Sequence, residues 1–470
     1  MKKLFSGDQL HLIDHIALLA GRKLDLVYAS LVHQLRLSPG FFRQGWGDLG
    51  VVNFEEDAKL FQCWPPAHFD QQLNWTKIDE SKLWGVECEK YQVSFRTPCH
   101  GRVYDALPSE SRVAHAQLLQ PKDPKRRKAC VLHLAGTGDH TWNRRMNLGG
   151  PLVQKGIATM VLESPFYGSR KPHYQFASQL LKVSDLLTLG RATVEESLCL
   201  LDWAGRHAFA SLGMCGFSMG GVHASMVASL YPGNVACTPL LAPRSASGAF
   251  CHGALRSATS WAPLAAVVDE KQKEIETTLM QSARSTKGLI EAARILSTLK
   301  KANSQSQSNS AHASNAAFVN GIAQNAKQRV QESSDRHQAG SDRHTGTANH
   351  RQKAGIDAAE DELGELWRLR QGLAEDQACL RLHQVLETYT DVTRFQPPRC
   401  TRAAVLVGAT EDAYVSAQSV QELAAHWPDS EVRWVKGGHV SAFLLQQPAF
   451  RQAITDSVDR LDECKSGTSE

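Results

Sequence analysis

The chain has 470 residues, of which 42% are hydrophobic and 21% charged, and 52 basic against 48 acidic residues leave a formal net charge of +4. This composition excludes wholesale disorder, a collagen-like repeat and a fibrous protein, and so small a charge on so long a chain leaves no electrostatic footprint for nucleic acid. No stretch reaches the ~18 uninterrupted apolar residues of a membrane-spanning helix.

At the N-terminus Leu10, Ile13, Ala17 and Leu24 recur with some helical period, but Asp8, Asp14 and Asp25 interrupt them. There is no sharp apolar core followed by a small-residue cleavage site, which argues against a secretory signal, and the acids argue against a mitochondrial transit peptide. Further along, Trp46-Gly-Asp and Trp64-Pro-Pro break any regular pattern. Residues 1–94 read as an N-terminal extension whose aromatics pack on a main body. The basic run Lys122–Lys128, interrupted by Pro124, reads as a solvated connector.

At Ala129 the pattern changes. Short apolar runs at 129–134, 157–162, 212–215, 235–241, 403–407 and 431–435 alternate with helical stretches. The clearest helix spans about 184–207, where Val183, Leu187, Val194, Leu198 and Leu201 line one face. Near-continuous apolar runs spaced by helices predict an α/β fold, a mostly parallel sheet with helices on both faces.

From Lys300 to Lys353 there is no Leu, and the bulky apolar residues are Phe318, Val319, Ile322 and Val330. Such a stretch buries too little apolar surface to offset its ordering entropy, which predicts disorder over 300–353. Helical pieces flank it at 270–299 and 360–388. Together they mark 266–362 as an insertion whose helices form part of a cap. The remaining body, 95–265 plus 363–463, is about 270 residues and suits one large catalytic domain; 464–470 is a tail. The eleven cysteines are odd in number and include no C-x-x-C pair. They read as small buried hydrophobes in a reducing, intracellular compartment, not as a disulfide frame or a zinc site.

The chemistry centres on Gly216-Phe-Ser218-Met-Gly220-Gly221, between the strand-like run 212–215 and the helical run Val222–Leu230. A nucleophilic serine on a sharp strand-to-helix turn needs glycines beside it, because the backbone is strained and closely approached. A serine hydroxyl is a weak nucleophile and requires a base oriented by a third group. Asp412 lies just past the strand 403–407, with Glu411 as the alternative acid. His439 follows the strand 431–435 through Gly437-Gly438. His223 and His207 read as packed or surface histidines. The oxyanion donors expected are the backbone amide of Met219 and that of Thr137 or Gly138, in the glycine-bearing loop His133-Leu-Ala-Gly-Thr-Gly-Asp-His140. That loop's histidines and acid do not reproduce a metal-ligand spacing, and this chemistry needs neither metal nor cofactor. In the loop after 157–162, Phe166 and Tyr167 are candidates for an acyl pocket and Arg170 or Lys171 for a phosphate head group, set against a reading of the four as packing aromatics and surface charges.

These segments resemble the α/β-hydrolase superfamily, and within it the alpha/beta hydrolase domain-containing protein 18 family. The resemblance rests on the loop 133–140, Glu163-Ser-Pro-Phe-Tyr-Gly168, Arg170-Lys-Pro172, Val183-Ser-Asp-Leu186, the elbow, Glu411-Asp-Ala-Tyr-Val415 and Gly437-Gly-His-Val-Ser-Ala442. Lys23-Leu-Asp-Leu-Val-Tyr28 and Gly45-Trp-Gly47 are similar too, so the likeness runs from about residue 22 to 463, the low-complexity insertion excepted. It implies Ser218, Asp412 and His439 as nucleophile, acid and base. It further implies hydrolysis of phospholipid acyl esters, of the cardiolipin type, with a mitochondrial location. The expected partners are thus a small acyl ester or phospholipid and a peripheral membrane contact. A scaffold that keeps the fold without turnover, and acyl transfer to an alcohol, are the alternatives.

Overall fold

Apolar runs too continuous for a half-exposed strand must be covered on both sides. In the structure, a computed structural model, they are strands of one nine-stranded sheet, buried except for 431–435, which lies at its edge. Residues 40–62, 64, 72–207, 209–266 and 374–466 are described, with Gly21, Asp25 and Gly372. The strands are β1 (Thr76–Leu83), β2 (Val86–Arg96), β3 (Val113–Pro121), β4 (Ala129–Leu134), β5 (Ile157–Leu162), β6 (Ser211–Phe217), β7 (Ala236–Leu240), β8 (Val405–Ala409) and β9 (Glu431–Val435). Their order is β1-β2-β3-β5-β4-β6-β7-β8-β9. The six from β5 to β9 pair in parallel, and β1–β2, β2–β3 and β3–β5 pair antiparallel.

Alternation within the apolar runs splits the core in two. Cys130, Leu132 and Leu134 of β4 point to one face, with Met160 and Met214, where Val194, Leu198 and Leu201 of the helix Val183–His207 and Val222, Met226 and Leu230 of the helix Met219–Leu230 cover them. Ala129 and Val131 point to the other, beneath Phe450, Ile454, Val458 and Leu461 of the helix Gln447–Ser466. Burying aliphatic side chains of this size contributes roughly 1.5–3 kcal/mol each, before the entropy of ordering is counted.

The boundary expected at residue 94 falls inside β2, so the segment before it belongs to the sheet. The sequence hid this because β1 is an exposed edge strand, Thr-Lys-Ile-Asp-Glu-Ser-Lys-Leu, whose charges guard its unpaired side and leave no apolar run to read. Earlier residues pack by their aromatics. The rings of Phe41 and Phe42 lie 5.4 and 5.1 Å from that of Phe250, and the Trp46 indole N–H donates to the Leu264 carbonyl at 2.9 Å.

Met1–Ala265 and Ala374–Glu470 form one compact unit, and Ala266–Leu373 is assigned to a second. The disorder expected over 300–353 and the helix expected over 270–299 lie outside the described residues. The later flanking helix is present over 374–390, with Leu382 and Leu386 buried. Arg244, just past β7, ties it to the body through Glu387 at 2.7 Å and Asp391 at 2.5 Å, and also bonds Glu422 at 2.7 Å. The cysteines need one correction: Cys400, just before β8, and Cys464, on the last helix, form a disulfide across 64 positions. A spacing rule built on short motifs does not see a pair brought together by helix-on-sheet packing. Eight others are free and buried, and Cys63 lies outside the described residues.

His133 of β4 is buried and both its ring nitrogens lack a partner. Burial, with the nearby Arg145 charge, pushes its imidazole down to about 3. The folded state therefore stays neutral where the unfolded chain takes a proton, so stability is complete above about pH 6.5 and falls as pH drops toward 3. Between pH 7.5 and 5, urea unfolding of the wild type should lose about 2 kcal/mol more than that of His133→Leu; parallel pH profiles would contradict this.

Candidate active site

β6 ends at Phe217 and the helix Met219–Leu230 begins at once, so Ser218 alone makes the turn. Its backbone sits at φ 55°, ψ −119°, a region L-residues avoid. The neighbours enforce it. The Ser218 N–H donates to the Leu240 carbonyl at 2.9 Å, and its own carbonyl accepts from Gly221 at 2.8 Å. A Cβ on Gly216 would overlap the Gly220 carbonyl, and one on Gly220 would overlap the Leu134 carbonyl. The two glycines named from the motif are thus required by close approach.

Asp412 lies in the turn after β8. Its Oδ1 accepts from the N–H groups of Tyr414 and Val415, both at 2.8 Å, and its Oδ2 meets the His439 Nδ1 at 2.7 Å. Both side chains are buried, Asp412 at 2% and His439 at 8% exposure, in a dry setting where charge-assisted bonds are strong. Glu411 is exposed, and its backbone N–H donates to the Gly437 carbonyl; the geometry gives the histidine to Asp412. The imidazole is held between Phe217 and Tyr414, with ring centroids 4.8 and 4.9 Å away, which sets it beside the elbow. No hydrogen bond joins the Ser218 hydroxyl to His439; such bonds commonly tighten only once substrate is present.

Ser218, Met219 and Thr137 open together onto one cavity. Its walls are chiefly apolar and include Leu186, Leu187, Val194, Val222 and Met226. Arg191 and Asp57 also line it, joined at 3.0 Å, with the Arg191 guanidinium 4.0 Å above the Phe61 ring. His223 lines it as well and is buried, which pushes its imidazole down to about 4. These wall residues are beyond sequence reasoning as a group, since they mix faces of two core helices. Phe217 and Tyr414 lie inside the motifs, where an aromatic beside a catalytic residue carries no signal of its own.

Thr137 borders the cavity, whereas Gly138, at φ 80°, borders Ser178. The Asp139 carboxylate accepts from Arg145 at 2.8 Å, and the His140 Nδ1 accepts from the Gly168 N–H at 3.2 Å.

The four candidates for substrate contact require correction, because none of them lines the cavity. Arg170 is fully buried. Its two terminal nitrogens grip both oxygens of Glu196, at 2.8 and 2.6 Å, and donate to the carbonyls of Glu163 and Ser111. A guanidinium so enclosed cannot reach a phosphate. Lys171 donates to the Gln175 carbonyl at 2.9 Å, and Phe166 and Tyr167 are buried in the core with the N-terminal aromatics. A basic pair at the end of a strand looks the same in sequence whether it faces in or out.

The family model described as alpha/beta hydrolase domain containing 18 matches residues 39–460. Among solved structures the chain is similar to acetyl xylan esterase 1 from Thermoanaerobacterium sp. JW/SL YS485, at 12% identity over 88% of this chain and 98% of that one, with a TM-score of 0.38. It is similar also to a thermostable esterase from Pseudomonas putida ECU1011, at 10% identity over 94% and 98%, TM-score 0.37. An esterase from an Arctic intertidal metagenomic library matches at 11% over 84% and 99%, TM-score 0.36. Among the described residues no helix is long and apolar enough to cross a membrane.

Breaking the buried pair by Glu196→Gln should cost about 3–5 kcal/mol in urea unfolding, since it strands the Arg170 charge. Lys171→Ala should change stability by no more than about 0.5 kcal/mol. Equal effects would contradict the assignment.

Proposed function

The chain belongs to the alpha/beta hydrolase domain containing 18 family, and on that premise we propose that it is a serine hydrolase of carboxylic esters. The observation that carries this reading is the 2.7 Å bond from Asp412 to His439, set beside a strained serine at the mouth of an apolar cavity. His439 takes the proton from the Ser218 hydroxyl as the oxygen attacks the ester carbonyl. Asp412 holds the Nδ1–H and stabilises the imidazolium. The tetrahedral oxyanion is met by the backbone N–H of Met219 and, by its position on the cavity, that of Thr137. His439 then protonates the departing alcohol, and a water it activates releases the acid from the acyl-enzyme.

The apolar walls support a long acyl chain, hence a lipid ester. The family resemblance supports a phospholipid, cardiolipin-type lipids included, reached by peripheral contact with a mitochondrial membrane. Hydrolysis is preferred over acyl transfer because water needs no second pocket, and over a scaffold role because the Asp412–His439 pair beside Ser218 supports turnover.

A fluorophosphonate probe should label the wild type covalently and leave Ser218→Ala unlabelled, and that variant should lose at least about 10³-fold in ester turnover; a folded wild type that resists the probe would overturn the reading. Met226→Trp fills the cavity, so its kcat/KM on p-nitrophenyl palmitate should fall by about tenfold or more relative to p-nitrophenyl butyrate. An unchanged ratio would place the acyl chain elsewhere.

A further inference from the structure

Asp25 lies before the region that the family model matches. It is nevertheless wholly buried, at 0% exposure, against the loops that carry the acid and the base. Its Oδ2 accepts the backbone N–H of His439 at 2.7 Å and that of Ala413 at 3.1 Å, and its Oδ1 accepts that of Val440 at 2.9 Å. Ala413 follows Asp412, so one carboxylate joins the turn after β8 to the loop after β9. Gly21, four residues earlier, covers the same place: a Cβ there would lie 2.9 Å from the Glu411 Cβ, and a Cβ on Gly438 would lie 2.6 Å from both the Gly21 carbonyl oxygen and the Asp25 Oδ2.

A carboxylate is costly to bury. Burial pushes the Asp25 carboxyl up, the three amides pull it down, and the Asp412 charge raises it again. A carboxylate kept where a second acid repels it is poorly placed if stability were its sole use. Its bonds, however, fix the backbone on both sides of the Asp412–His439 hydrogen bond, where a displacement of an ångström is enough to cost on the order of 10²-fold in rate.

We propose that Asp25 is a positioning residue for the ester chemistry, its carboxylate locking the acid-bearing turn and the base-bearing loop in register. This rests on the serine-hydrolase reading above. In Asp25→Asn the amide NH₂ must face an N–H that the carboxylate oxygen accepted, and in Gly438→Ala the new methyl displaces Asp25 from the opposite side.

The test uses the full chain, with fluorophosphonate titration to count competent Ser218 and p-nitrophenyl butyrate for turnover. Per labelled site, both variants should lose about 10- to 100-fold in kcat with KM within about twofold of wild type, and the rate of labelling should fall in parallel. A merely structural role would reduce the number of labelled sites and leave kcat per site unchanged, and that result overturns the proposal. Wild type that hydrolyses the ester without labelling at Ser218 would overturn the reading of Ser218 as nucleophile, and Asp25 as its positioning residue with it.

Discussion

The backbone of Ser218 is held where an L-residue pays on the order of 1–3 kcal/mol in strain. Everything nearby depends on that constraint. The strand before it must end and the helix after it begin without a spacer, so β6 is buried on both faces and the helix behind it packs into the core. Gly216 and Gly220 leave no volume for a side chain. The Ser218 amide is tied to β7 through the Leu240 carbonyl, so the turn cannot relax without disturbing the neighbouring strand. In return, Ser218 and Met219 are presented together to the cavity.

At that rim two kinds of surface meet. The helix Val183–His207 and the helix Met219–Leu230 cover the sheet with aliphatic side chains and also supply much of the cavity wall, so the interior packing and the apolar site are one continuous surface. Against it stand a few buried charged groups, each with its partner. Asp412 is met by two backbone amides and the His439 imidazole, and Arg170 by Glu196 and two carbonyls. Charges in a dry interior persist only when so paired. The pairing separates their duties: Asp412 is turned to the histidine beside the cavity, Arg170 is enclosed away from it.

How much of this the residues disclose depends on the range of each signal. The parallel strands β4 to β8 and the helix Val183–His207 are legible because double-sided burial makes apolar runs and one-sided burial a helical period, and β9, half-exposed at the sheet's edge, is legible from its β-branched and aromatic residues. Ser218, Asp412 and His439 are legible because strand ends and glycines are local. β1 and β2 are not, since an edge hairpin can carry charge along most of its length. The burial of Arg170, the disulfide from Cys400 to Cys464 and the contacts of Asp25 are not either, because each joins segments far apart in sequence. Asp25 shows in the sequence as an acid interrupting an apolar period, within a segment that resembles the family, and neither signal points to its contacts. Its partners are backbone amides nearly the whole chain length away, and backbone donors have no sequence signature.

The direct measurement of the central claim is the mass of the peptide carrying Ser218, from protein quenched in acid during turnover of a long-chain p-nitrophenyl ester. An added acyl mass on Ser218, absent before substrate is supplied, is the result that an acyl-enzyme requires. Turnover with Ser218 unmodified, or with the acyl group on another residue, would contradict it.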